Sequence, residues 1–120
     1  SLLAFSPAIA ADAACVEAWK KDVQRLANSR CVACHQNAAP GGGLSLQRGT
    51  APENLIGQKS KGAEMVYVTP GDPSQSYIYR KLEGTQVEAG GTGERMPLGG
   101  KLSDRDLAVF EGWIRACTDA

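Results

Sequence analysis

The chain has 120 residues, the length of a single domain with a modest core, and contains 14 glycines and 6 prolines but only 6% aromatic residues. Its 13 basic and 13 acidic side chains cancel to a formal charge of zero, which excludes the strongly basic surface of a nucleic-acid-binding protein. This composition suits loops wrapped around a bound group better than a sheet-rich sandwich.

Residues 1–12 are predicted to be a signal-peptide remnant or an apolar N-terminal tail, and residues 13–120 to be the folded domain. The run from Ala8 to Ala10 has the small-residue pattern of a signal-peptide cleavage site, and the apolar stretch is too short to span a bilayer. A retained tail that docks on a partner is the alternative. Both interpretations predict an exported, periplasmic protein in which disulfides can form.

The first predicted helix runs from Ala13 to about Ser29, with Asp12 as its N-cap. Its apolar residues recur at steps of three and four, and they are Val16, Trp19, Val23 and Leu26. Farther along, residues 40–43 are glycine-rich, which predicts a close approach of the backbone to another group. Residues 47–71 carry no clear pattern apart from an extended segment over 63–68.

A second, short helix is predicted over about Ser74–Leu82. Asp72 is suited to be its N-cap, Pro73 occupies its first position, and Gly84 ends it. Its inner face is predicted to consist of Tyr77, Ile78 and Leu82.

An exposed loop over 84–95 precedes the last helix, which has the clearest start signals. Ser103 is predicted to be the N-cap, with Asp106 at the third helical position and a hydrophobic staple between Leu102 and Leu107. The buried face is predicted to consist of Leu107, Phe110 and Ile114, with Val109 and Trp113 beside them.

The residues from Cys31 to His35 read C-V-A-C-H, the pattern of covalent haem attachment. Two thiols three residues apart on a tight turn reach the two vinyl groups of one haem, and the next residue is directed at the iron. Cys31 and Cys34 are therefore predicted to form thioethers, and His35 to be the proximal iron ligand. The other ring nitrogen of His35 needs an acceptor, and a backbone carbonyl between Pro40 and Gly43 is the candidate.

A thioredoxin-type redox pair and half of a zinc site are the alternative interpretations of C-x-x-C. A redox pair would be expected beside a βαβ pattern, which the sequence lacks. A zinc site needs four ligands, and the remaining thiols, Cys15 and Cys117, are far from the motif in sequence. Haem attachment is favoured over both.

The sixth position of the iron cannot take a second histidine of this chain, because His35 is the only one. Met96 is the predicted sixth ligand, since it stands in a loop directly before Pro97, which fixes the backbone after it. Met65 lies in the extended segment and is predicted to be core filling.

The order of helix, C-x-x-C-H, middle helix, Met-Pro loop and C-terminal helix resembles the class I cytochromes c over about residues 13–117. Residues 70–82 (PGDPSQSYIYRKL) and 95–103 (RMPLGGKLS) look like the planctomycete-type subgroup. The resemblance implies an all-α cytochrome c fold: three to four helices around one covalently bound haem c, with crossing N- and C-terminal helices. In that fold Trp19 or Val23 would pack on Phe110 or Trp113.

Several polar residues are candidates for contacts in the haem pocket, with core packing or a solvated surface as the alternative for each. Tyrosines would bond a propionate or Met96, and arginines would pair with propionates. The candidates are Tyr67, Tyr77, Tyr79, Arg80 and Arg95.

Cys15 and Cys117 are the thiols that haem attachment leaves over. A disulfide between them would close a loop of roughly 100 residues and stabilise the fold by at most about 4–5 kcal/mol in the chain-entropy model. An intermolecular bridge and two buried free thiols are the alternatives.

The function predicted from these residues is single-electron transfer between redox partner proteins. A tightly docked subunit of an oxidoreductase or multi-haem assembly is the alternative that the apolar tail suggests. A haem enzyme or gas sensor with an open iron is a third alternative, against which Met96 argues.

Overall fold

The computed structural model of the protein describes residues 13–118, so the predictions for residues 1–12, including the Asp12 cap, lie outside the described residues. Over that range the fold is mostly helical and contains no strand, in agreement with the predicted all-α class. The helices are α1 (Ala13–Ala18), α2 (Gln24–Arg30), α3 (Ala51–Leu55), α4 (Tyr77–Glu83) and α5 (Asp104–Ala116). No helix of the described range is long and apolar enough to cross a bilayer.

The predicted first helix is present, but α1 and α2 are joined by a π-helical turn over Trp19–Val23. Its buried apolar residues are Cys15, Trp19, Val23 and Ala27, whereas Val16 and Leu26 are only partly buried. Steps of four drift by about 40° each around an ideal α-helix. A π turn has more residues per turn than an α-helix and so takes up part of that drift. The buried residues therefore recur every four positions, which the α-helical pattern of steps of three and four did not predict.

The two ends of the domain pack against each other, as expected. The indole of Trp19 makes edge contacts with Phe110 and Trp113 of α5, at ring-centroid distances of 6.0 and 4.9 Å. Trp113 Nε1 donates a hydrogen bond of 3.0 Å to the backbone carbonyl of Cys15, and Cys15 forms a disulfide with Cys117. Aromatic packing, a buried hydrogen bond and a covalent link therefore hold the same junction.

Both predicted helix starts after residue 70 are confirmed. The Asp72 carboxylate accepts from the Ser74 backbone N–H, and the Ser103 hydroxyl accepts from that of Asp106. Gly84, with φ of +84°, ends α4 in the left-handed conformation that favours glycine. The predicted helix over Ser74–Leu82 is divided, however, into a 3₁₀ turn over Pro73–Gln75 and α4.

The middle of the chain contains one helix that the sequence analysis did not predict. Helix α3 is only five residues long, with Pro52 in its first turn. After it isolated bridges join, among others, Ile56 with Val68 and Lys59 with Val66. The extended segment predicted over 63–68 is present only in part: residues 63–65 and 67 are bends, Val66 and Val68 form single bridges, and the segment does not join a sheet.

Candidate functional site

A tight turn at the end of α2 carries the C-x-x-C-H residues. The N–H of Cys31 still bonds the Ala27 carbonyl at 2.8 Å, and the Cys31 carbonyl then accepts from the N–H groups of both Cys34 and His35, at 3.1 and 3.0 Å. Both cysteines are free thiols. The helix end therefore presents two thiols and an imidazole within one compact turn, as the motif predicted.

The His35 ring is oriented by a backbone carbonyl. Its Nδ1 lies 2.9 Å from the carbonyl oxygen of Leu44, and because a carbonyl only accepts, Nδ1 carries the proton. The acceptor was expected between Pro40 and Gly43, but the carbonyls of Pro40 and Gly41 are taken by a 3₁₀ turn over Gly41–Gly43. Leu44 is the next residue along, and Nε2 is the ring nitrogen left that could bind a metal.

The glycine-rich turn approaches the motif as predicted. A Cβ at Gly41 would lie 2.8 Å from the Cys34 carbonyl oxygen and 3.6 Å from Cε1 of His35. The Gly41 N–H also donates to that same Cys34 carbonyl at 2.7 Å. A side chain at position 41 would thus push against the turn that holds the imidazole.

One cavity of about 500 Å³ brings the predicted site residues together. This volume lies within the ~300–1,000 Å³ of small-molecule and cofactor sites. Its wall is mainly apolar, with Leu44, Leu46, Ile78, Leu82 and Phe110 among its members. The predicted residues that line it are Cys31, Cys34, His35, Met96, Tyr67 and Tyr77.

Met96 reaches the cavity from a chain segment that runs beside α4. Its backbone N–H donates to the Lys81 carbonyl at 2.9 Å, and its partly buried side chain packs on the core. Met65 also packs on the core but does not line the cavity. The two methionines therefore have the different surroundings that the sequence predicted.

The three tyrosines separate into two groups. Tyr67 and Tyr77 line the cavity, and burial raises the pKa of Tyr67 above its usual value. Tyr77 is held between glycines, because a Cβ at Gly62 or Gly91 would lie 2.6 or 2.4 Å from its hydroxyl oxygen. Tyr79 instead donates to the Glu111 carboxylate at 3.2 Å, away from the cavity.

The structure does not bring Arg80 or Arg95 to the cavity. Arg80 Nε donates to the Ser74 carbonyl and Arg95 Nε to the Leu82 carbonyl, each at 3.1 Å, so both guanidinium groups are engaged with backbone around α4. Neither residue lines the cavity, and their predicted role at propionates has no support in this geometry.

Three other cations line the cavity and were missed: Arg30, Lys61 and Lys81. Burial lowers the pKa of Lys81, an effect that the charge of Glu94 opposes. No carboxylate of the described residues lines the cavity. Helical spacing could have identified Lys81, since position 81 shares a face with positions 77, 78 and 82, whereas position 80 does not.

The structure bears on the two alternative interpretations of C-x-x-C. The disulfide takes up the other two thiols, and no group of three or more His, Cys, Asp or Glu side chains within residues 13–118 is placed to hold a metal ion. Burial raises the pKa of Cys31 to about 11, against a smaller opposing effect of Arg30. Redox-active thiols have pKa values shifted in the opposite direction.

Comparison with family models, with curated proteins and with solved structures found no match to this chain.

Proposed function

We propose that this protein is a periplasmic single-electron carrier of the class I cytochrome c type, with one covalent haem c in a cytochrome c fold. The observation that carries the proposal is the convergence of Cys31, Cys34, His35 and Met96 on one cavity. Two thiols, an imidazole and a thioether are the donor set of a c-type haem with His/Met ligation. The apolar wall and the free Nε2 of His35 also fit this group.

Each of these residues has a distinct role in the proposal. Cys31 and Cys34 would hold the haem as thioethers, and His35 and Met96 would ligate its iron. When bound, the haem supplies reversible one-electron transfer. A thioether ligand favours the ferrous state, and an iron held by both His35 and Met96 would have no open position for a substrate. Relay between partner proteins is therefore favoured over catalysis.

The charges on the cavity wall support a group that carries carboxylates. Arg30, Lys61 and Lys81 line the wall, and within the described residues no acidic side chain opposes them. Two haem propionates could pair with these three cations, whereas Arg80 and Arg95 do not line the cavity.

The mouth of the cavity is the proposed docking face for redox partners. Cys34 is exposed there, and Leu98 lines the cavity while 61% of its surface remains accessible. A formal charge of zero argues against strong long-range steering, so we expect recognition through a small apolar contact.

A docked subunit of an oxidoreductase or multi-haem assembly is the second candidate. The apolar sequence from Leu2 to Ile9 motivates it, and that segment lies outside the described residues. A monomer in solution that exchanges electrons with several small redox proteins would favour the diffusing carrier. Co-purification in a fixed stoichiometry with one oxidoreductase would favour the subunit.

Mass spectrometry of the denatured chain tests the proposal. We expect protein exported in a host that matures c-type cytochromes to retain one haem mass after denaturation, and Cys31→Ala/Cys34→Ala to lose it. Cys15→Ser/Cys117→Ser is the matched control and should retain it. A wild-type chain without added mass would refute the proposal, and tight CO binding by its resting ferrous form would favour an open-iron enzyme or sensor.

A further inference from the structure

The segment Leu44–Gln47, called the strap below, has no regular secondary structure, yet three successive carbonyls in it are held by side chains. The carbonyls of Leu44, Ser45 and Leu46 accept hydrogen bonds of 2.9, 3.1 and 3.0 Å. The donors come from three different parts of the chain, and in the same order they are His35 Nδ1, Asn54 Nδ2 and Gln24 Nε2.

The strap is also tied to His35 through the backbone. The Leu46 N–H donates to the His35 carbonyl at 2.8 Å, so the strap contacts this residue at both its ring and its main chain. A displacement of the strap would therefore act on the imidazole directly. The hydrogen bonds that hold the strap therefore also determine the position of the Leu44 carbonyl, which is the acceptor for His35 Nδ1.

Gln24 holds the Leu46 end of the strap, and its amide is fully engaged. The side chain is buried, with 1% of its surface accessible. Its Oε1 accepts from Nε1 of Trp19, and its Nε2 donates to Asn28 Oδ1 at 2.8 Å as well as to Leu46. A buried amide with every group paired has one orientation, and losing any partner leaves a costly unpaired group.

The π turn is what brings Gln24 and Trp19 together. The Gln24 N–H donates to the Trp19 carbonyl five residues earlier, and their side chains bond each other as well. In an α-helix the residues that lie above one another are three or four apart, whereas i→i+5 bonding brings residues five apart into register. The π turn thus places the buried side-chain amide of Gln24 where it can bond the strap.

Asn54 holds the middle of the strap from helix α3. Its Nδ2 donates to the Ser45 carbonyl at 3.1 Å, and the side chain is only partly buried. The short helix α3 therefore contributes a hydrogen bond to the strap beside the Cys31–His35 turn, although none of its own residues is a predicted iron ligand.

We infer that Gln24 and Asn54 are positioning residues that fix the strap, and through the Leu44 carbonyl fix the orientation and basicity of the His35 ring. The inference rests on the proposed function, because its consequence is read at the haem iron. A hydrogen bond from the second ring nitrogen raises the basicity of an imidazole ligand and so favours the ferric state. Releasing the strap should weaken that bond and raise the midpoint potential.

The test compares Gln24→Met, which keeps the length of the side chain, with Asn28→Ala, which removes one amide partner but leaves the Leu46 bond. In Gln24→Met we expect a higher midpoint potential, and faster solvent exchange of the His35 Nδ1 proton in NMR spectra of the ferrous protein. Asn28→Ala should change neither quantity, even where it lowers the free energy of unfolding.

Asn54→Ala is the second variant, since a partly buried site tolerates truncation better than a buried one. It should shift both quantities in the same direction as Gln24→Met, by a smaller amount. Faster unfolding of Gln24→Met or Asn54→Ala with an unchanged potential and unchanged proton exchange would overturn the inference alone. Equal shifts in Asn28→Ala would overturn it too. A wild-type chain without haem mass would instead overturn the proposed function, and this inference with it.

Discussion

The two methionines of the chain allow the proposed sixth iron ligand to be tested one residue at a time. Met96 lines the cavity that His35 lines, whereas Met65 packs on the core outside it. Met96→Leu keeps the volume and removes the sulfur, so we expect a lower midpoint potential and CO binding to the ferrous protein. Redox titration and CO difference spectra measure these effects.

Met65→Leu is the control for that substitution. It makes the same chemical change in the core, where swaps that conserve volume cost less than about 1.5 kcal/mol, and it should leave the potential unchanged. An unaltered spectrum in Met96→Leu would contradict the assignment of Met96.

At this scale the sequence predicted the placement of the motif residues better than the placement of the charges. The spacing of Cys31, Cys34 and His35 determines their local geometry, because all three lie on one turn, and this turn is present. Which cations line the cavity depends instead on the direction in which long side chains point in the folded chain. Arg80 bonds backbone near its own helix, while Lys81, one residue later, lines the cavity.

Among the helices, α5 depends most on a local signal at its start. The Ser103 hydroxyl accepts from the Asp106 N–H at 3.1 Å. Ser103→Ala should lower the free energy of unfolding by about 1 kcal/mol, as seen for N-caps generally. Urea denaturation measures the change. Ser103→Asp, which can also cap, should restore most of it, and equal losses in both variants would argue against capping as the cause.

The 3₁₀ turn before α4 should depend on pH through Asp72. Hydrogen bonds from the Ser74 side chain and from the backbone lower the pKa of this carboxyl below 3.8. A lowered folded pKa contributes stability that is present above the unfolded value and lost as pH falls through the folded one. We expect this part of the stability to disappear in strong acid.

Asp72→Asn isolates that contribution, because asparagine can cap but does not titrate. The difference in unfolding free energy between wild type and Asp72→Asn should be constant above about pH 5 and should shrink as the pH falls from the ordinary pKa of 3.8 through the lower folded pKa. Urea titrations across this range measure it, and a difference independent of pH down to strong acid would contradict the prediction.

Caps made the start of the 3₁₀ turn at Pro73, the end of α4 at Gly84 and the start of α5 predictable, whereas α4 itself begins at Tyr77 without a side-chain cap. The absence of a cap also hid another element. Helix α3 has no side-chain cap and only five residues, so no periodic pattern could develop. The π turn coincides with tertiary contacts of Trp19 with α5 and of Gln24 with the strap, which no local rule of propensity contains.

For the whole molecule, the disulfide between Cys15 and Cys117 should be a large contribution to stability. The two residues are 102 positions apart, so the bond restricts nearly the entire described chain in the unfolded state. Cys15→Ser/Cys117→Ser should lower the free energy of unfolding by about 2–5 kcal/mol. Denaturant unfolding of oxidised, reduced and variant protein measures this.

Reduced wild type should match the double variant in that experiment, because both lack the same covalent link. Non-reducing peptide mapping should recover Cys15 joined to Cys117. Free alkylatable thiols there, or dimers that dissociate on reduction, would contradict an intramolecular bond.

The packing of the N-terminal helix on α5 was expected only from the resemblance. Apolar spacing predicted amphipathic faces on the terminal helices, but not that Trp19 would meet both Phe110 and Trp113. The cavity depends on gaps between distant segments, such as the approach of Met96 to the wall that contains His35, and pattern rules describe no such gaps.

The π turn over Trp19–Val23 gives the N-terminal helix two rotational phases instead of one. The half before it contacts α5 and the residue that follows α5 through Cys15, while the half after it leads into the Cys31–His35 turn. Each residue of an α-helix advances the chain by about 100° around its axis. The number of residues in this turn therefore sets the rotation of one half of the helix relative to the other. Gaining or losing a single residue there would rotate the end that carries the Cys31–His35 turn relative to the end that carries the disulfide, a change that no substitution on either half could reproduce.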